Sequence, residues 1–325
     1  MNLKTIINLR VAGRIKRYIF MMCISCSLAA SLPCYSFSFF DSFGVRPQSL
    51  GGAYTALADD ASAVFLNPAG IAQSNKLQAL IYYTNMFPDV SEWNIQSGGM
   101  STSFATYGNV YFGVGYAGLL IDKGFYKETM TSIPAAYTFF KNENTAAHLG
   151  MSVKFLSIGY GSDIEDYSQG DPVFEKKTTT KFSADLGALI TRKIEYTEFR
   201  FGIAGRNLKE ADFGIVKKDV LWPEYHFGLG VVIEPHEVDS RILSAIFNRN
   251  PKVLFEMTMY KYYSELSAGI ELTYEPVSLQ LGAGTNSLSC GLSVQALKYL
   301  RVDIGSVFYS EMGSYSPQIS LNYGF

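Results

Sequence analysis

The feature that most constrains this chain is an alternation of apolar and polar residues sustained over stretches of about ten residues, the length a tilted strand needs to cross a bilayer. It is clearest toward the C-terminus. Leu266, Ala268, Ile270, Leu272 and Tyr274 share one face, and Glu265, Ser267, Gly269, Glu271 and Thr273 the other. Val277, Leu279, Leu281 and Ala283 repeat the pattern, followed by Leu288, Cys290, Leu292 and Val294, then Leu300, Val302 and Ile304. A soluble sandwich also alternates, but its strands are usually shorter and its polar face meets bulk water.

Two further signals favour membrane-crossing strands. Aromatic residues such as Tyr83, Trp93, Tyr137, Phe139, Tyr225, Tyr274 and Phe308 fall at or near strand ends, where an interfacial girdle would sit. The chain also ends on an alternating apolar face, Ile319, Leu321, Tyr323 and Phe325, which resembles the assembly signal of bacterial outer-membrane proteins. Composition agrees: 48% of residues are apolar and only 17% charged. The net charge of −2, with no long basic run after the leader, excludes a nucleic-acid footprint.

The expected fold is all-β, a transmembrane antiparallel barrel of about fourteen strands. The strands are placed near 77–85, 93–106, 109–119, 130–140, 146–158, 179–192, 198–207, 223–233, 252–260, 265–274, 277–285, 288–295, 300–309 and 315–325. With both ends periplasmic, 86–92, 120–129, 159–178 and 208–222 become outer loops. The long inner connection from Glu234 to Asn250 is expected to carry a short helix over Ser240–Phe247.

Ahead of the strands, residues 1–38 read as a secretory signal peptide, basic at Lys4, Arg10, Arg14, Lys16 and Arg17 and apolar from Tyr18 to Leu32. Three of the four cysteines lie in that leader, so Cys290 has no intramolecular partner afterwards. Residues 39–75 break the strand pattern. Asp59 and Asp60 are expected to cap a helix through Ala61–Leu66, and Asn67-Pro68 to start a second with Asn as N-cap and Pro at the first helical position.

At Gly51-Gly52-Ala53-Tyr54, Ala58-Asp59-Asp60-Ala61 and Asn67-Pro68-Ala69 the chain resembles the N-terminal hatch of the FadL-like long-chain fatty-acid and hydrophobic-compound transporters. That resemblance implies that residues 39–75 form a small helical plug in the lumen of a barrel spanning 76–325, in the bacterial outer membrane. It implies a passive channel for hydrophobic or amphipathic ligands, with capture at the outer loops and a sideways route out where a strand kinks. PorV-like barrels of secretion or surface-attachment systems resemble the same family, so a structural, partner-binding barrel is the alternative. Either way the partners are outer-membrane lipid and the barrel-assembly machinery, and the channel reading adds a hydrophobic small molecule.

Candidate residues follow. Apolar residues in the outer loops, Phe125, Tyr126, Phe174, Phe213, Val220 and Leu221, are candidates for capture. Gly98-Gly99, where the phase of alternation set by Trp93 and Ile95 slips, is the first candidate for a lateral opening, and Pro134, which has no ladder donor, the second. His148, Lys154, Lys181, Asp185, Arg200, Arg206, His226, Lys252, Glu256, Glu265, Glu271, Arg301 and Asp303 are expected to face the lumen as a polar network. No nucleophile–base pairing, metal cluster or cofactor motif stands out, so no enzyme, metal or cofactor is expected.

Overall fold

Strands can cross hydrocarbon only if every backbone amide is paired, which forces an alternating sheet of this kind to close on itself. The computed structural model describes residues 43–74, 76–89, 95–105, 108–121, 126–160, 178–214, 219–234 and 250–324. All of them belong to one unit, Ser38–Phe325. The strands are β1 (Gln78–Met86), β2 (Ile95–Ala105), β3 (Val110–Ile121), β4 (Tyr126–Lys141), β5 (Thr145–Tyr160), β6 (Thr178–Ile194), β7 (Thr197–Arg206), β8 (Ala211–Asp212), β9 (Val220–Leu221), β10 (Glu224–Ile233), β11 (Lys252–Met259), β12 (Ser264–Tyr274), β13 (Val277–Gly284), β14 (Ser287–Leu297), β15 (Leu300–Tyr309) and β16 (Ser314–Gly324).

Fourteen of these form a closed barrel in which each strand pairs with its neighbours in sequence, β7 passes directly to β10, and β16 returns to β1. Pairing is antiparallel throughout. The remaining two, β8 and β9, form a two-residue hairpin within the connection between β7 and β10. Observed strand ends match the expected ones within about two residues except in β4, which starts four residues earlier. The helix expected over Ser240–Phe247 lies outside the described residues, as does the leader.

The alternation sorts the two faces. Ile81, Leu149, Leu186, Leu229, Leu281 and Ile304 point outward with 51–62% of their surface open, an apolar exterior that suits lipid and not water. Their neighbours in sequence point into the lumen, which is filled by residues 43–74. This hatch contains α1 (Val45–Ser49), α2 (Ala63–Leu66) and a 3-10 helix over Pro68–Gln73. α1 is unannounced by any capping pattern, and α2 is shorter than the expected Ala61–Leu66. Hatch residues Leu50, Leu57, Val64 and Phe65 are fully buried, in one cluster with Leu80 and Tyr82 of β1, Ala117 of β3, Met130 of β4 and Leu156 of β5.

Candidate functional site

Two electrostatic clamps hold the hatch. Arg46 on α1, 4% exposed, grips Glu271 of β12 side-on, with Nε donating to Oε2 at 2.6 Å and Nη2 to Oε1 at 3.0 Å, the arrangement a planar guanidinium favours. Its Nη1 also binds Asp59 and, at 3.1 Å, Asp60. Lys252 of β11 meets Glu271 at 2.6 Å, and Arg301 of β15 meets Asp60 at 3.2 Å and Asp303 at 2.8 Å. Burial alone would raise the Asp59 and Asp60 carboxyls. The Arg46 guanidinium, with Lys252 beside Asp59 and Arg301 beside Asp60, reverses this and holds both below the ordinary carboxylate range.

These contacts correct the expected role of Asp59. It caps no helix, because a buried guanidinium needs counter-charge more than a four-residue helix needs an acceptor. Asp60 keeps a turn-forming role, its Oδ1 accepting the Ser62 amide at 3.0 Å, but Ser62 flanks α2 without a side-chain cap. Asn67 does cap the 3-10 helix: its Oδ1 accepts from the Ala69 amide at 3.2 Å, while its Nδ2 donates to the Thr55 carbonyl at 2.8 Å.

The second clamp is Glu256 of β11. Its Oε2 accepts from the Tyr54 and Thr55 amides, both at 2.8 Å, and its Oε1 from the Thr55 hydroxyl at 2.9 Å. His226 of β10 stands behind it. The His226 Nε2 accepts from Arg206 Nε at 2.8 Å, which leaves the ring proton on Nδ1 to be donated to Glu256 Oε1 at 2.9 Å. Arg206 Nη2 meets Glu224 at 3.1 Å.

Between the clamps the hatch backbone lies directly on strand glycines. A methyl group on Gly187 would come within 2.1 Å of the Asn67 amide oxygen, one on Gly150 within 2.3 Å of the Ala69 nitrogen, and one on Gly282 within 2.0 Å of the Gly51 nitrogen. Gly51 and Gly52 themselves take φ of 70° and 88°, a left-handed turn that suits glycine. The Gly-Gly, Asp-Asp and Asn-Pro-Ala pieces of the motif are thus the points at which the plug turns, is charge-locked and is seated.

The lumen is not uniformly polar, as the sequence pattern suggested. Charged residues concentrate on β7, β10–β12 and β15, with one further buried pair, Lys154 of β5 and Asp185 of β6 at 2.7 Å, whereas the buried side chains of β1–β4 are uncharged and mix Leu80, Tyr82, Ala117 and Met130 with Ser97, Ser101, Ser103 and Ser132. Near the loop-bearing end Met86, Phe87 and Leu119 are buried together, with Ile95, Ile121, Tyr126 and Tyr309 packed on them. Tyr309 also lines a cavity of about 170 Å³ between this cluster and the hatch, with Phe43, Leu66 and Val307 on one side and Arg206, His226, Glu256 and Glu265 on the other. A wider polar bowl of about 500 Å³, lined by Arg46, Asp59, Lys252, Glu271, Lys298 and Arg301, opens at the end bearing the short turns.

The lateral opening expected at Gly98-Gly99 is absent. Pairing runs without interruption from Ser97 to Met100 on both sides of β2. The apparent phase slip arises because Ile95 points inward, to the outer apolar cluster, instead of toward lipid. Ser97, Ser101 and Ser103 stay buried on the lumen side and Met100 and Phe104 outside, one phase throughout. At Pro134 the situation differs. The β3–β4 register passes from Phe112↔Ala135 to Gly115↔Ser132 with no pairing at Gly113 and Val114 opposite Ile133 and Pro134, although the register does not shift. A proline has no amide to close that rung. On the lumen side, a methyl group on Gly113 would lie 3.1 Å from both the Pro134 ring and Val64 of the hatch.

The proposed capture residues are not an open greasy patch. Val220 and Leu221 pair with Asp212 and Ala211, Ala211 belongs to the central lumenal cluster, and Phe213 and Leu221 pack against it. The connection folds inward because exposed apolar tips gain more by burial against that cluster than in water. Tyr126 opens β4, stacks edge-on to Tyr160 with centroids 5.5 Å apart, and donates to Glu128 at 2.5 Å. Phe125 and Phe174 lie outside the described residues. At the last strand Ile319, Leu321 and Tyr323 point outward and are 37–45% exposed, and Phe325 lies outside the described residues.

No protein-family pattern and no curated protein matches the sequence. Solved structures do match in fold. The Ralstonia pickettii toluene transporter TbuX aligns with 88% of this chain and 98% of its own, with a TM-score of 0.52 at 12% identity. The Pseudomonas putida toluene transporter TodX aligns with 87% of this chain and 97% of its own, at a TM-score of 0.51 and 12% identity. A Pseudomonas aeruginosa FadL homologue covers 86% and 98% respectively, at a TM-score of 0.50 and 12% identity. The chain therefore has the fold of the FadL-like barrels, and these neighbours are channels or transporters and not enzymes.

Proposed function

We propose that the chain is a passive channel of the bacterial outer membrane for small hydrophobic or amphipathic molecules, long-chain fatty-acid-like compounds included. The observation that carries this reading is the divided lumen: the buried side chains of β1–β4 are uncharged and meet the outer apolar cluster at Met86 and Leu119, while charges on β11, β12 and β15 hold the hatch. The ligand enters by displacing the inward-folded β8–β9 hairpin. It leaves sideways at the unpaired rung opposite Pro134, next to Val64 of the hatch. Residues 1–38 serve as the removed export signal, and the assembly machinery inserts the barrel through its last strand.

Uptake by cells lacking their own hydrophobic channel tests the reading. Expression should raise uptake of labelled toluene or of a long-chain fatty acid several-fold, and Leu119→Lys, which puts a charge in the outer apolar cluster, should remove that gain while the barrel remains heat-modifiable. Uptake equal to the empty vector for both compounds would discard the channel. The hatch packed across the middle of the lumen suits the second reading, a PorV-like barrel that binds a partner protein, and that reading would then stand.

A further inference from the structure

We propose that the cavity above the hatch selects for a hydrogen-bond-donating head group, so that its preferred ligand is a neutral, hydroxyl-bearing ring compound and not a carboxylate. The inference rests on the channel reading and names the substrate class of that site. The volume of about 170 Å³ is close to that of engineered apolar cavities that accept benzene, about 150 Å³, so one ring with small substituents fits. Phe43, Leu66, Val307 and Tyr309 receive the ring.

The opposite side decides the head group. Arg206 has its charge met by Glu224 at 3.1 Å and is also bonded to His226. The carboxylate of Glu256 is engaged on both oxygens by hatch Tyr54 and Thr55 and by His226. Glu265 also lines the cavity with one hydrogen bond accepted from Tyr260, which leaves its carboxylate further acceptor capacity, and among the described residues no cation stands within ion-pair distance of it. A ligand carboxylate would face two glutamates at a like-charge cost, and the guanidinium that lines the cavity, Arg206, already has the Glu224 carboxylate against it. A hydroxyl can donate to Glu265 in a charge-assisted bond, with Ser267 and Ser287 alongside.

Three ligands with one ring and different heads make the test: p-cresol, toluene and p-toluate, titrated into the purified full chain in detergent at neutral pH. One hydrogen bond to a charged acceptor should make p-cresol about tenfold tighter than toluene, with p-toluate weakest, and Glu265→Leu should erase the advantage of p-cresol over toluene. Equal binding of p-cresol and toluene, tightest binding of p-toluate, or no binding of any of the three overturns the inference. The wild-type series decides it even if the variant fails to fold. Equal uptake of all three through proteoliposomes would sink the selectivity and leave the channel standing.

Discussion

At the scale of single residues, Arg46 is the side chain on which most depends, because four carboxylates and two further cations are balanced around it. Removing one partner of a buried ion network leaves uncompensated charge, which costs about 3–5 kcal/mol. Arg46→Ala should therefore unseat the hatch, read as new protease cleavage within 43–74, while heat-modifiable migration of the barrel persists. The pH dependence has a definite sign. Asp59 and Asp60 are depressed in the folded state, so their contribution is complete above the unfolded value of about 3.9 and is lost as pH falls through the lower folded values. The hatch should stay protected at neutral and mildly acidic pH and open only in strong acid. In Arg46→Ala, where Lys252 and Arg301 are left to oppose the effect of burial without the guanidinium, opening should move toward neutral pH. Asn67→Ala removes a cap worth about 0.5–2 kcal/mol and the bond to Thr55; raised conductance for small hydrophilic ions in planar bilayers would register it, and an unchanged conductance would mean that Asn67 does not seal the plug.

Between elements, the fit of hatch to wall rests on the missing side chains of strand glycines. Gly187→Ala and Gly282→Ala each push a carbon into the plug, an overpacking cost of about 1–3 kcal/mol. Both should loosen the hatch, measured by the same proteolysis, without lowering barrel yield. The unpaired rung gives a separate expectation: Pro134→Thr supplies an amide opposite Gly113 and should slow uptake if exit is lateral, whereas unchanged uptake would move the exit elsewhere. The strands were legible in the sequence because a period of two is a local property, and Asn67-Pro68 because a cap and its first turn are neighbours. Arg46 was not, since its partner Glu271 lies 225 residues away and no spacing rule reaches so far. The uncharged wall was overlooked for a related reason. Inward positions such as Ala117 and Met130 read as lapses in alternation on one strand, and only the closed barrel places β1–β4 side by side. Gly98-Gly99 misled because Ile95 is apolar on both counts, fit for lipid and for the inner cluster alike.

For the whole molecule, the terminal strand closes the barrel by pairing with β1 from Gln78↔Gly324 to Thr84↔Gln318, so truncation there should act on the entire sheet. Deleting Phe325 is expected to lower the heat-modifiable fraction recovered in membranes, and unchanged recovery would remove the residue from the assembly signal. The hatch has its own consequence for the order of events. Ser49 donates to the Cys290 carbonyl across 241 positions, and Gln48 bonds Gln318 across 270. Contacts of such sequence separation form late, after loop-closure entropy has been met by other structure. The segment synthesised first must therefore wait until the last strands arrive before it can be seated, and protection of residues 43–74 against protease should lag barrel closure in a refolding time course. A plug built this way acts as a checkpoint on assembly: a barrel missing its final strands lacks the Cys290, Arg301 and Gln318 contacts that complete the seat of its own stopper.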